Sequence, residues 1–237
     1  MNDIGTMIWK ETKDSVLQGG LSALIRPLLL IGVVGIGFPW RFGLEWLALT
    51  PLVMGIVLYF PFILILSFVG DAIAGERERH TLETLLASRI SDRAIVLGKI
   101  IVTTGYAWST ALLGLLLGLV VANLSKGQGS WQFYTHIDLL LEALALSLLT
   151  SLLGASGGAL ISMRSATVRQ AQQLLIVATL VLVVGGVVLI KVLPAQTISS
   201  FSISQIWLIA MAVLAVLDAI LLGVTLVSFR RSRLMLS

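Results

Sequence analysis

Trp46–Gly70 reads WLALTPLVMGIVLYFPFILILSFVG, and Asp71–Lys99, directly after it, reads DAIAGERERHTLETLLASRISDRAIVLGK. The first stretch has no formal charge over 25 residues, while the second packs ten of the chain's 28 formal charges into 29 residues. An uncharged run of that length meets the roughly 17 to 25 residues needed to cross bilayer hydrocarbon as a helix. Four further charge-free runs follow, Ile100–Ser125, Ala143–Met163, Gln170–Ile190 and Val192–Leu217. Leu21–Phe38 makes a sixth, provided that Arg26 snorkels to an interface ahead of Pro27.

Composition points the same way. The 237 residues are 57% hydrophobic and only 12% charged, with a mean hydropathy of +1.02. So few charges cannot cover a water-facing surface, and the chain has no cysteine for a disulfide scaffold. Soluble enzymes and disordered regulators are excluded on the same ground. The net charge of +4 follows from the placement of basic residues and needs no nucleic-acid partner. With six spans and both ends inside, only Arg41, Lys126 and Lys191 of the sixteen Lys and Arg residues lie outside. The positive-inside rule then makes the majority face cytoplasmic and favours an even number of spans.

The fold expected is all-α: a polytopic membrane protein, one domain over 1–237, with spans near 21–38, 47–70, 100–122, 139–163, 170–190 and 204–228. Trp40, Trp46, Trp131 and Trp207 stand near span ends, where an indole favours the interface. Residues 7–19, including Trp9, Lys10 and Lys13, are too polar to insert and read as an interfacial helix ahead of the first span. Nothing in the opening residues resembles a cleavable signal peptide. The segments 39–45, 126–138 and 191–204 read as short outer links.

Within the charged segment, span two runs out through Asp71 into a short charged helix. Thr81 is placed to cap a second helix with Glu83 in its first turn and Leu82, Leu85 and Leu86 on one stripe. Ser91 and Asp92 then start the helix that becomes span three. Gly75, Glu76, Arg77, Glu78, Arg79, Thr81, Leu82, Glu83, Leu85, Leu86, Leu97, Gly98 and Lys99 together resemble the signature of the type-2 permease family of ATP-binding cassette (ABC) exporters.

That resemblance implies a six-span permease subunit that pairs with a second permease chain, the same or related, and binds two copies of a cytosolic ABC ATPase. It also implies that Glu76, Arg77, Glu78, Arg79, Thr81 and Glu83, with the N-terminal helix, form the ATPase-coupling surface of a bacterial or archaeal cell-membrane exporter. Two positions depart from the pattern. His80 stands where the family usually has glycine, which predicts a less sharp break between the helices, and Arg89 stands where proline is frequent. No G-x-x-x-x-G-K-[ST] loop occurs, so ATP and Mg belong to the partner and the chain is no enzyme by itself. Leu124–Gln128 imitates the nucleotide-binding signature of the partner but falls in an outer link, and Asn123-Leu124-Ser125 spells a glycosylation sequon there.

Inside the spans, Glu142 and Asp218 are the acids at membrane depth and the candidates for a translocation pathway. Glu142 lies close enough to the outer interface to be solvated, whereas Asp218 must face a cavity or a neighbouring helix. The rival function is an ion-gradient-driven carrier using these two acids, which would survive ATP depletion and fail with an uncoupler. An intramembrane enzyme lacks paired catalytic residues at one depth, and two histidines make no metal site. Gly114 with Gly118 and Gly154 with Gly158 have the spacing of close helix contacts, which serve either packing within the chain, the preferred reading, or a subunit interface. Pro61 predicts a kink in span two.

Overall fold

A computed structural model describes residues 3–14, 20–81, 90–126, 129–192 and 202–229. The described residues are helical almost throughout and contain no strand. In chain order they form α1 (Asp3–Lys13), α2 (Gly20–Gly32), a π-helical turn (Val33–Gly37), α3 (Phe38–Phe42), a 3-10 turn (Gly43–Trp46), α4 (Pro51–Gly70), a second π-helical turn (Asp71–Gly75), α5 (Glu76–Glu78), α6 (Asp92–Lys126), α7 (Ile137–Arg164), α8 (Val168–Val192) and α9 (Ile203–Ser228).

Five stretches are long and apolar enough to cross a membrane: Pro27–Trp46, Asp92–Lys126, Ile137–Arg164, Val168–Gly185 and Ile203–Ser228. Pro51–Ile65 is a shorter apolar helix by the same measure. The second span starts later than the sequence suggests because Leu47–Thr50 make a turn, with Leu49 at φ +48° just before Pro51. At the first span the difference is larger. The expected outer link 39–45 is helical, and the chain does not break until Gly43, at φ +60°, where glycine's lack of a Cβ permits the reversal. α6 runs to 35 residues, about 52 Å, well beyond the roughly 30 Å of hydrocarbon, so its charged first turns extend past the apolar run.

α7 is the hub, packed against α4, α6, α8 and α9. Its buried Gly154, Ala155, Ser156, Gly158, Ala159 and Ser162 are small, so neighbouring backbones approach closely. A Cβ at Gly154 would lie 3.1 Å from both Ile65 and Phe62 of α4, and one at Gly114 3.2 Å from Val34. Both glycines therefore serve packing within the chain, as read from their spacing. One core forms at the end carrying α1, around Met7, Ile73, Ile95, Val96, Met163 and Phe229. Another forms at the far end, around Trp46, Leu47, Val53, Met54, Leu115 and Ala143. α8 and α9, by contrast, turn most of their apolar side chains outward, among them Ile176, Leu180, Ile209, Val216 and Ile220.

Trp46 is not an interfacial aromatic: it is completely buried against Gly118, unlike Trp9, Trp40 and Trp131, which are exposed. The loop between α6 and α7 is tied down at the same end. Asn123 donates through Nδ2 to the carbonyls of Leu119 and Gln132, both at 2.8 Å, and its Oδ1 accepts from the Gln132 amide at 2.7 Å. The sequon asparagine is therefore a buried structural clamp. Tyr134 adds a bond to the Leu115 carbonyl at 2.8 Å, and burial raises its phenol above its ordinary titration range. Gly118→Ala would force its new methyl into the Trp46 indole. Thermal unfolding in detergent should show a loss of about 1 to 3 kcal/mol, since neither partner can withdraw from a packed core.

Candidate functional site

Lys99 is the last residue before the long charge-free run of α6, yet its side chain is only 4% exposed. Its Nζ donates to Glu11 Oε1 at 2.8 Å and to Glu76 Oε1 at 2.9 Å. Lys10 reaches the same Glu76 oxygen at 3.3 Å, with Glu11 at 3.6 Å and Asp14 at 3.8 Å. Three elements thus meet on one charge set centred on the buried Lys99 and Glu76: α1 brings Lys10 and Glu11, with Asp14 directly after it, α5 brings Glu76, and α6 brings Lys99. Magnitudes rank the contacts. The exposed Lys10–Asp14 pair is worth at most about 0.5 kcal/mol, whereas stripping one partner from a buried, hydrogen-bonded charge costs about 3 to 5 kcal/mol. Burial works to lower the Lys10 pKa, but the carboxylates of Glu76, Glu11 and Asp14 outweigh it and leave it raised. Because a raised folded-state lysine keeps its stabilising charge at any pH below its unfolded value, about 10.4, the Lys10 charge is present at neutral pH and its contribution is lost on the alkaline side as pH rises through the raised folded value.

The apolar side of α1 is fixed as firmly. Met7 is completely buried on Gly98, where an added Cβ would lie 2.6 Å from Met7 Cγ and 2.8 Å from Met7 Cβ. Asp3, in the first turn, accepts from the Ser91 amide at 3.3 Å. α1 begins earlier than the helix read over 7–19, of which 15–19 lie outside the described residues. Its acidic start and its Lys10 and Lys13 finish suit the helix dipole. Lys13 and Trp9 are exposed on the outside of this packing.

Arg77 and Glu78 work at the next connection, between α7 and α8. Arg77 donates to the Ser165 carbonyl at 2.8 Å and the Met163 carbonyl at 3.4 Å, placing a cation on the carbonyl end of α7. Glu78 Oε1 accepts from the Val168 amide at 2.9 Å, placing an anion on the first amide of α8. Just before them, the π-helical turn redirects two amides, and Ile73 and Ala74 donate to Ser162 Oγ of α7 at 3.2 and 2.9 Å. The run 73–78 is therefore bonded to α1, α6, α7 and the start of α8. Arg79 is exposed.

The break after α5 is sharper than the sequence suggests. His80 adopts φ +57°, the left-handed conformation a glycine would take. Its amide donates to the Arg77 carbonyl at 3.1 Å and the Thr81 amide to the Glu76 carbonyl at 2.9 Å, which completes a Schellman turn. Thr81 directs its hydroxyl back to Glu76 O at 3.3 Å. Glu83 and the leucine stripe after it lie outside the described residues. Sequence reading gave Glu11 no role beyond its place in the interfacial helix, missed Ser162, and took Lys99 only as part of a motif. A lone lysine abutting 26 uncharged residues was the available signal.

The two membrane-depth acids lie elsewhere, both between α7 and α9. Glu142 is buried, not solvated as its position suggests: it accepts a short hydrogen bond from Ser204 Oγ at the far end. Asp218 is 3% exposed, and neither of its oxygens has a hydrogen-bond partner among the described residues. The described residues contain no cluster of three His, Asp or Glu side chains fit to hold a metal.

Lys99→Ala should lower stability by about 3 to 5 kcal/mol and make α1 susceptible to limited proteolysis, while Lys10→Ala should cost under about 1 kcal/mol. His80→Gly should keep the turn and gain up to about 1 kcal/mol, and His80→Val should lose about 1 to 2 kcal/mol, both read from unfolding in detergent.

Residues 47–236 match the family described as ABC-2 family transporter protein, and no curated protein matches the chain. That match takes in the run 73–78, Lys99 and both membrane-depth acids. With five helical stretches able to cross a bilayer and a match over most of its length, the chain is an integral membrane protein that belongs to the ABC-2 transporter family, a membrane transport component whose family implies an ABC ATPase partner.

Proposed function

We propose that this chain is the permease subunit of an ABC exporter, with six spans, both termini cytoplasmic, and a pathway formed between two permease chains. The sixth span is α4, whose 20 residues measure about 30 Å. α1 lies along the cytoplasmic membrane interface with Trp9 toward lipid. Two cytosolic ATPase subunits, holding ATP and Mg, dock on the surface made by α1 and residues 71–99. Glu76, Arg77, Glu78, Arg79, Thr81 and Glu83 carry the coupling.

One observation carries this reading: Glu76, Arg77 and Glu78, three consecutive residues, bond to α6, to the end of α7 and to the start of α8, with α1 held on the same carboxylate. A push on such a segment reaches four helices at once, because each contact is a short bond to a rigid element. A solvated linker would have no need of these bonds. Arg79 and Thr81 lie exposed on the outer side of this segment, the side a partner protein would meet.

Purification of the chain from its native membrane in mild detergent should recover a Walker-containing ATPase in one-to-one ratio. Glu83→Lys should weaken that recovery or ATP-driven flux several-fold and leave membrane insertion intact. If no ATPase is recovered even after crosslinking, and flux survives ATP depletion but stops with an uncoupler, the chain is a gradient-driven carrier instead.

A further inference from the structure

Asp218 is the sixteenth residue of α9, about 22 Å along the helix from Ile203. It belongs to a row spaced by seven residues, Ser204, Met211, Asp218 and Thr225, which a 3.6-residue helix keeps on nearly one face. Both ends of that row bond to α7: Ser204 to the Glu142 carboxylate, and Thr225 to the Ser156 carbonyl at 3.3 Å. α7 and α9 therefore run parallel, with Asp218 enclosed between the two bonded ends. Val213, Val216, Leu217 and Ile220 on the other faces of α9 are exposed and apolar.

Among the described residues, no cation pairs with Asp218. α7 bears Asp138, Glu142 and Arg164 as its only titratable groups, and Glu142 sits at the level of Ser204, about 21 Å of helix away. α6 meets α9 near Arg93 and Leu97, below Gly223 and Leu226, and its Lys99 is committed to Glu11 and Glu76. Tyr106 on α6 is the remaining titratable group inside the bundle, and α9 has no other. At 3% exposure and with no partner among the described residues, an ionised carboxylate at Asp218 would be in the state that buried charges avoid by neutralising. A carboxylic acid fits, because it gains a donor, and hydroxyl donors on this face find carbonyls: Thr225 also donates to Leu221 O at 2.6 Å.

We propose that Asp218 is a proton-binding site in the α7–α9 seam, occupied when the two helices are packed and emptied when they part enough to admit water. Since the proton then binds the packed arrangement better than the parted one, linkage requires acid to hold the seam closed and alkali to favour its opening. The site rests on α9 spanning the membrane and not on the permease reading.

Infrared spectroscopy of the purified chain with 13C-labelled aspartate, at neutral pH, tests it. The expected result is a label-shifted carbonyl stretch of a protonated carboxylic acid that disappears in Asp218→Asn. Asp218→Glu, which moves the carboxyl out of the labelled set, serves the same purpose should the asparagine variant not fold. Absence of any protonated-carboxyl signal in the labelled wild-type chain, or its persistence in both variants, would overturn the proposal. Neither result depends on an ATPase or a cargo, so failure of the permease reading cannot be mistaken for failure of this one.

Discussion

An ammonium group that is almost wholly buried has to be met by counter-charge wherever the chain can bring it, and Lys99 draws its two carboxylates from residues 88 and 23 positions away. That requirement organises the whole α1 end. α1 cannot leave without abandoning Lys99, and α5 cannot shift without dragging Glu76 off both lysines. Met7 in the Gly98 recess sets the approach distance, and the charge set fixes the register. Apolar packing alone would tolerate a helix sliding by a turn; a shared oxygen at 2.9 Å does not.

The far end is held by neutral chemistry. Asn123 and Tyr134 replace the ion pairs, backbone carbonyls replace carboxylates as acceptors, and the buried Trp46 contributes packing. The two ends therefore respond to different conditions. Ion pairs at the α1 end depend on the charge state of their carboxylates and lysines, whereas amide and phenol bonds in the far-end core do not depend on formal charge. Between them, α8 and α9 contribute few buried side chains, so the bundle's rigid part is α4, α6 and α7.

Much of this was legible in the sequence, for a physical reason: charge-free runs of 21 residues or more have few structural meanings, and α6, α7 and α8 each contain one, while α9 starts 11 residues after its run begins. Gly114 and Gly154 read correctly because small-residue spacing reports backbone approach directly. What failed were inferences from a residue's average behaviour. His80 was expected to soften a break, but the Schellman bonds hold it left-handed despite its Cβ. Residues 39–45 looked like a loop by polarity and fold as helix because only Gly43 interrupts them. Glu142 and Trp46 seemed interfacial from their place in the chain, and tertiary packing encloses both. Arg77 and Glu78 were singled out by motif, but their opposite roles at the two ends of one inter-helix turn depend on a fold that brings residues about 90 positions apart together.

The clamp at Asn123 bears on how the topology of this protein can be mapped. Attached sugars are a common reporter of which loops reach the secretory lumen, and Asn123-Leu124-Ser125 looks like a natural acceptor in such a host. Its amide nitrogen and oxygen are both spent on Gln132, in a side chain almost fully enclosed, so the folded chain presents no nitrogen to a glycosyl donor. A bare Asn123 would thus report the tightness of the α6–α7 loop and say nothing about the side of the membrane on which it lies.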